Sequence, residues 1–276
     1  MHAIPSCWFD FDPNDTRRDV TICNYDIALD DVRRLSTYTG MTIGKFRVDW
    51  KSEIGVKVNK RSINWPVLRY ADLLLMYAEA ENELHEGPTA EATTALREVR
   101  MRAFSHDASM IGTLPTSYEA FREAIIKERQ LELGFESLRR TDLVRWGIHY
   151  EMVSGAKEKV IQMANRTGRY QDIDIYRAYQ PVAATEFEDP IVAVDYIGYQ
   201  RELTDAEIAD LEARGYTVLN MFGDDDLSNS KNLKAGEVWI GSLFRGLEKE
   251  KVELLPLNQK MIDVNPGLEG QQHPGY

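Results

Sequence analysis

Apolar residues recur with helical spacing through the middle of the chain and break up on either side of it. After Pro66, Val67, Ala71, Leu74 and Ala78 fall at i, i+4, i+7 and i+11, and Leu68 and Leu75 widen the stripe. This spacing predicts an amphipathic helix opened by the proline, whose missing N–H would be unpaired in a first turn anyway. Gly87-Pro88 stops it. Thr89 is placed to cap a second helix that buries Ala92, Leu96, Val99 and Ala103. The link is so short that the two helices must pack antiparallel. A third helix opens at the capping box Thr116-x-x-Glu119 and carries Phe121, Ile125, Leu131 and Phe135. A fourth covers Leu138–Trp146 and stops at Gly147; a fifth runs over roughly 149–166, before Gly168.

The flanks read differently. Residues 1–62 alternate short apolar runs with turn residues and charges, and FRVDWKSEIGVKV (46–58) reads as extended. Residues 169–203 read as loop with short strands. Thr204-x-x-Glu207 is a second capping box, opening a short helix over Ile208 and Leu211 that Gly215 ends. GDDDLSNSKN (223–232) is a polar surface loop, and the proline- and glycine-rich residues 254–276 read as an irregular tail laid over the helices. The predicted fold is mostly α: helix hairpins with long irregular loops and a few short strands. It is taken as one region over 1–276, with an extended segment (1–62), a helical core (63–168) and a carboxy-terminal part of loops, short helix and tail (169–276). No βαβ alternation points to a parallel sheet.

Charge narrows the function. The 276 residues carry 33 Lys+Arg against 45 Asp+Glu, a net charge of −12. Such a surface repels phosphate backbones and anionic headgroups, which argues against nucleic-acid and electrostatic membrane partners and leaves neutral ligands open. The amino terminus, MHAIPSCWFDFDPNDTRRDV, shows no basic start, apolar run or cleavage site of a secretory leader, and no apolar stretch precedes Cys7 as a lipid anchor requires. Cys7 and Cys23 could pair, but the sequence does not place them within bridging distance, and two thiols are the simpler reading.

Catalytic and metal signatures are absent from the sequence. The five histidines occur singly, and no nucleophile elbow, phosphate loop or dinucleotide fingerprint is found. Asp10-x-Asp12-x-Asn14 resembles half a calcium loop, but Asp15 and Thr21 stand where glycine and glutamate are required, and Asp224–Asp226 reads as a solvated charge run. No cofactor and no metal are predicted. Glu128, Glu132 and Glu136 recur every four residues, as paired acid and base carboxylates would, but Arg129, Arg139, Arg140 and Arg145 are interleaved with them. Facing arginine lowers a carboxyl pKa, the wrong direction for a general acid. Glu128, Glu132, Arg139 and Asp142 are therefore read as a structural ion-pair network rather than a glycosidase pair.

Trp65 and Trp146, beside helix ends, are read as core. Trp8-Phe9 lie in an Asp- and Pro-rich irregular stretch. Aromatics there either tuck under the chain or stack on a sugar while nearby oxygens bind its hydroxyls, which makes Trp8, Phe9 and Asp10 the candidate ligand contacts.

Three segments together resemble the SusD/RagB family of outer-membrane nutrient-binding lipoproteins: NWPVLRYADLLLMYAEAENE (64–83), YEAFREAIIKERQLELGFESLRRTDLVRWG (118–147) and LLPLNQKMIDVNPGLEGQQHPGY (254–276). DPNDTRRDV (12–20) approximates that family's D-P-R element. The resemblance implies tetratricopeptide-like helix hairpins with a decorated loop face, and the Pro66–Ala103 hairpin has the length of one such repeat. It also implies a non-enzymatic protein of the outward-facing outer-membrane surface, which captures glycan or peptide for a SusC-like TonB-dependent transporter. Family members are longer and begin with a lipidated cysteine, so the chain is similar to their carboxy-terminal half. The matched motifs are structural, and no ligand residue carries over with them. The competing reading is a helical-repeat scaffold whose only partner is protein.

Overall fold

Helix α2 begins where a salt bridge lets it. In the computed structural model, which describes residues 2–27, 30–47, 50, 64–183, 192–223, 232–233, 241–249 and 257–271, a short α1 (Arg17–Thr21) precedes α2 (Tyr70–His85). Pro66 is not the helix start. Arg69 is the N-cap in extended conformation (φ −140°, ψ 161°), and this swings its guanidinium onto Glu132 and Glu136. Val67 and Leu68, predicted on the buried stripe, lie outside the helix, and Val67 is 87% exposed. Trp65, predicted as core, is 48% exposed and stacks on Phe46 at 4.6 Å between ring centroids.

From Tyr70 onward the pattern organises the packing. Leu75 and Ala78 face inward, and Glu86 adopts the left-handed conformation (φ 50°) that ends the helix. Thr89 Oγ1 accepts the Ala92 N–H at 3.0 Å and caps α3 (Ala90–Ala103). Ala92, Ala95, Leu96 and Val99 then meet Leu75 and Ala78, with Leu114, Phe121, Ile125 and Leu133 completing one core. Phe121 and Ile125 belong to α4 (Tyr118–Glu132). Its N-cap is Ser117, accepting from Ala120, one residue later than the predicted box at Thr116. The shift keeps Phe121 inward while Thr116 and Ser117 stay exposed. Burying ten such side chains, at about 1.5–3 kcal/mol for each large one, is what holds the three helices together.

Beyond α4 the chain turns through Phe135 and Ser137, both at φ 64°, into α5 (Arg139–Arg145) and α6 (His149–Ala164), separated by Gly147 at φ 69°. Trp146, predicted as core, is half-buried, with Arg145 over its ring.

The described strands form three small antiparallel sheets. β1 (Ile22–Cys23) pairs with β4 (Thr42–Ile43). β2 (Tyr25–Ile27), β3 (Val32–Leu35) and β6 (Val182–Ala183) form the second sheet, in that order. In the third, β5 (Tyr176–Tyr179) lies between β7 (Ile197–Tyr199) and β8 (Thr217–Asn220). On it rests α7 (Asp205–Ala213), opened by the Thr204–Glu207 capping box with both reciprocal bonds made. Ala178, Leu203 and Leu211 are its small core. The fold is mostly α-helical with a few short strands.

The chain divides into two compact units, Met1–Arg139 with Asp174–Gly223, and Arg140–Ile173 with Asp224–Tyr276. The first holds α1–α4, all three sheets and α7. The second holds α6 and α8 (Gln259–Val264), a helix followed by a 3₁₀ turn at Pro266–Leu268 in the segment predicted as an irregular tail. Asn258 caps α8 through Lys260 N–H, which the sequence reading overlooked. Most of the extended prediction at 46–58 and of the polar loop at 223–232 lies outside the described residues. Cys7 is half-buried and Cys23 buried, and no disulfide joins them. No helix among the described residues is long and apolar enough to cross a membrane.

Candidate functional site

The carboxylates that repeat along α4 end in a closed charge cluster. Glu128 and Glu132 occupy its last two turns, and Glu136 follows in the left-handed turn; all three are buried. Arg17, at the start of α1, donates from Nη1 to Glu128 Oε1 at 2.6 Å and to Glu132 Oε2 at 2.9 Å. Its other nitrogens are held by Asp15 at 2.7 and 2.9 Å, so the guanidinium is aimed rather than mobile. Arg69 and Arg102 both bond Glu132 Oε1. Arg69 Nε reaches Glu136 Oε2 at 2.7 Å, and Lys45 bonds Glu136 and the Glu132 carbonyl. Arg100 faces the second oxygen of Glu128 at 3.7 Å. Nearby, Arg129 pairs with Asp72 at 2.8 Å, tying α4 to α2.

These contacts set the electrostatics. Burial works against the charge of Glu132, but Arg69 and Arg17 outweigh it and hold the carboxyl below its ordinary range. Glu136 is lowered in the same way, burial being overcome by Arg69 and Lys45. Glu128 departs from the sequence expectation: burial pushes its pKa up against the pull of Arg17 and Arg100. Its two oxygens face those arginines, and the side chain is buried. A general acid needs a proton and a path to substrate. Glu132 and Glu136 are poor proton sources, and Glu128 has no open face.

Arg139 donates to the Ile126 carbonyl at 3.0 Å and to Gln130 Oε1 at 2.9 Å, locking the turn after α4. Asp142 accepts from Arg145 Nε at 3.0 Å within α5. Neither bond joins the Glu128–Glu132 cluster. The cations that do, Arg17, Lys45, Arg69, Arg100 and Arg102, were missed in the sequence because they lie 30 to 115 residues from Glu132. One signal was available: a glutamate on an apolar helix stripe requires a buried cation from elsewhere.

Trp8, Phe9 and Asp10 lie on a 3₁₀ helix, Pro5–Asp10. Trp8 is 4% exposed, with the Arg18 guanidinium 4.5 Å above its ring. Phe9 leans on Tyr38, and Asp10 accepts from Gln130 at 3.0 Å. The three residues fasten the amino-terminal segment to the fold, and Trp8 offers no open ring for stacking. The open aromatic surface is elsewhere. Trp65 has one face on Phe46 and is half exposed; Tyr70 and Tyr77 are exposed along α2. Among the described residues no group of His, Cys, Asp and Glu is arranged to hold a metal ion.

The comparisons with known proteins agree on one family. The SusD family model matches residues 11–276. SusD-like protein P25 of Formosa agariphila is 46% identical over 92 residues, covering 33% of this chain and 17% of its own length. SusD-like protein P2 of the same organism is 29% identical over 159 residues, 52% of this chain and 31% of its own. A SusD homolog from Bacteroides thetaiotaomicron shares the fold across the whole chain, with a TM-score of 0.56 at 24% identity, over 44% of its own chain. This chain therefore spans less than half the length of the relatives it matches. With its family model matched from residue 11 to residue 276, the chain belongs to the SusD family.

Proposed function

We propose that this chain takes part in capturing a glycan or similar nutrient at the outer-membrane surface, for delivery to a SusC-like TonB-dependent transporter. The observation that carries the reading is the family match over residues 11–276. The chemistry of the chain supports binding over turnover. Its buried carboxylates are engaged by arginine and lysine, and its net charge of −12 suits an uncharged ligand better than a phosphorylated one. Trp65 is the stacking surface in this reading. An indole backed by Phe46 is held flat, and its outer face is apolar enough to lie against a sugar ring.

Affinity electrophoresis of the purified chain through gels carrying a panel of polysaccharides tests the proposal. Retardation by one glycan, lost in Trp65→Ala without a change in melting temperature, is the expected result. Uniform migration across the panel, with no heat of binding to the derived oligosaccharides, overturns it.

A further inference from the structure

Two segments of irregular backbone meet on one buried carboxylate. Glu136 accepts Lys45 Nζ on Oε1, and Arg69 brackets the same group, with Nε on Oε2 at 2.7 Å and Nη2 on Oε1 at 2.9 Å. The two cations also share the main-chain carbonyl of Glu132. Lys45 directly precedes Phe46, and Arg69 follows Trp65 by four residues, so this clip closes beside the stacked ring pair. Phe46 is held on its other side as well: Arg47 is buried and donates to Tyr25 Oη at 3.3 Å and to the carbonyls of Asp19 and Val192. Glu136 itself stands between Phe135 and Ser137, two non-glycine residues at φ 64°. Such left-handed backbone is costly and persists where its surroundings over-determine it.

The rings alone do not account for their pairing. Stacking of two part-exposed aromatics is a small gain against the conformational freedom of the segments that carry them, so both backbones must be fixed first. We infer that Glu136 is a positioning residue for the Trp65 platform: by gathering Lys45 and Arg69 on one carboxylate, it sets Phe46 behind Trp65 and holds the indole flat. Its consequence for glycan rests on the function proposed above; its consequence for the ring pair does not. Glu132 differs in this respect. Its side chain bonds Arg17, Arg69 and Arg102, whereas Lys45 takes its carbonyl, which Glu132→Gln keeps.

The test reads Trp65 itself, by subtracting the emission of a matched Trp65→Phe protein from that of each variant. Lys45→Met frees the Phe46 side of the clip and leaves Arg69 on Glu136; Glu136→Met removes the shared carboxylate. In both, Trp65 emission should move to the red and be quenched more readily by acrylamide. The polysaccharide that most retards the parent should bind them about five- to tenfold more weakly. Lys45→Arg keeps the cation and should hold the parent's values. So should Glu132→Gln, which weakens the fold without opening the clip. Parent-like emission and quenching in Lys45→Met overturns the assignment, as does a Lys45→Arg protein altered to the same extent. The same change in Glu132→Gln also overturns it, because it marks general loosening. If no polysaccharide retards the parent, the glycan reading falls and the emission of Lys45→Met still decides the role of Glu136. A red-shifted variant that binds glycan like the parent keeps that role and removes Trp65 from the glycan site.

Discussion

Gly198 makes room for the carboxylate of Asp174. A Cβ at residue 198 would lie 2.3 Å from Asp174 Oδ1, and the same carboxylate takes Arg177 Nε on Oδ2 at 2.8 Å. Arg177 stands opposite Gly198 in the β5–β7 register, is 2% exposed, and lies 3.9 Å from the Tyr196 ring and 5.2 Å from the Tyr38 ring. A missing side chain on one strand thus allows a buried guanidinium on the next to keep its counter-ion. Gly198→Ala should displace Asp174 and destabilise the first unit by about 3–5 kcal/mol, the usual cost of leaving a buried ion without its partner. Urea denaturation measures this, and a change under about 0.5 kcal/mol would show that the carboxylate can move aside freely.

Glu132 is the centre of its cluster, and Glu132→Gln keeps its shape while removing the charge that faces Arg17, Arg69 and Arg102. The expected loss is about 3–5 kcal/mol. A cycle with Arg17→Met should show coupling above about 0.5 kcal/mol, because the two groups share a bond rather than a neighbourhood. Glycan retardation should be unchanged wherever the variant folds. Loss of retardation at an unchanged melting temperature would assign the cluster to the ligand instead.

Trp8→Ala should act on stability. Removing a buried indole ordinarily costs about 3–5 kcal/mol, whereas Arg18→Ala, which removes the cation above the ring and a partly exposed pair with Asp19, should cost about 1–2 kcal/mol. A Trp8→Ala protein that melts with the parent but no longer binds glycan would restore the stacking role to this residue.

Acid should unfold the protein through Glu132, Glu136 and Glu207. The last, beside Arg201 and the Thr204 backbone, is lowered to about 2. In the unfolded chain each returns to about 4.3 and takes up its proton at higher pH than in the fold. The stability they confer is therefore complete above about pH 5 and falls away as the pH drops through their lowered folded values. Glu128, raised by burial, has the opposite sign and softens the acid limb. Melting temperatures between pH 2 and 7 should decline on the acid side, and the Glu132→Gln variant should decline less steeply than the parent.

What the sequence disclosed follows the range of the forces involved. Thr89 with Ala92, Leu96 and Val99, and Thr204 with Glu207, were legible because capping and amphipathic burial act within a few residues. The start of α2 was not. Pro66 satisfies every local criterion, yet Arg69 is drawn into extended backbone by carboxylates more than sixty residues away. The same blindness hid the cations of the Glu132 cluster, and it left the two readings of Trp8, tucked under the chain or open to a ligand, undecided until the Arg18 contact and the burial of the ring were seen. Local stereochemistry also misplaced the α4 cap by one residue, since Thr116 and Ser117 are chemically equivalent and only the packing of Phe121 separates them.

The partners of Glu132 have a consequence for how the amino terminus moves. Terminal segments ordinarily fray, and their amide protons exchange with solvent through small local openings. Here, lifting α1 away would take Arg17 from Glu128 and Glu132 together, leaving Glu128 only the more distant Arg100 and Glu132 its bonds to Arg69 and Arg102. Removing one partner of a buried pair ordinarily costs about 3–5 kcal/mol, so opening of this segment is expensive. The segment around Arg17, though near one end of the chain, should exchange its protons at the slow rate of global unfolding, in step with the middle of α4.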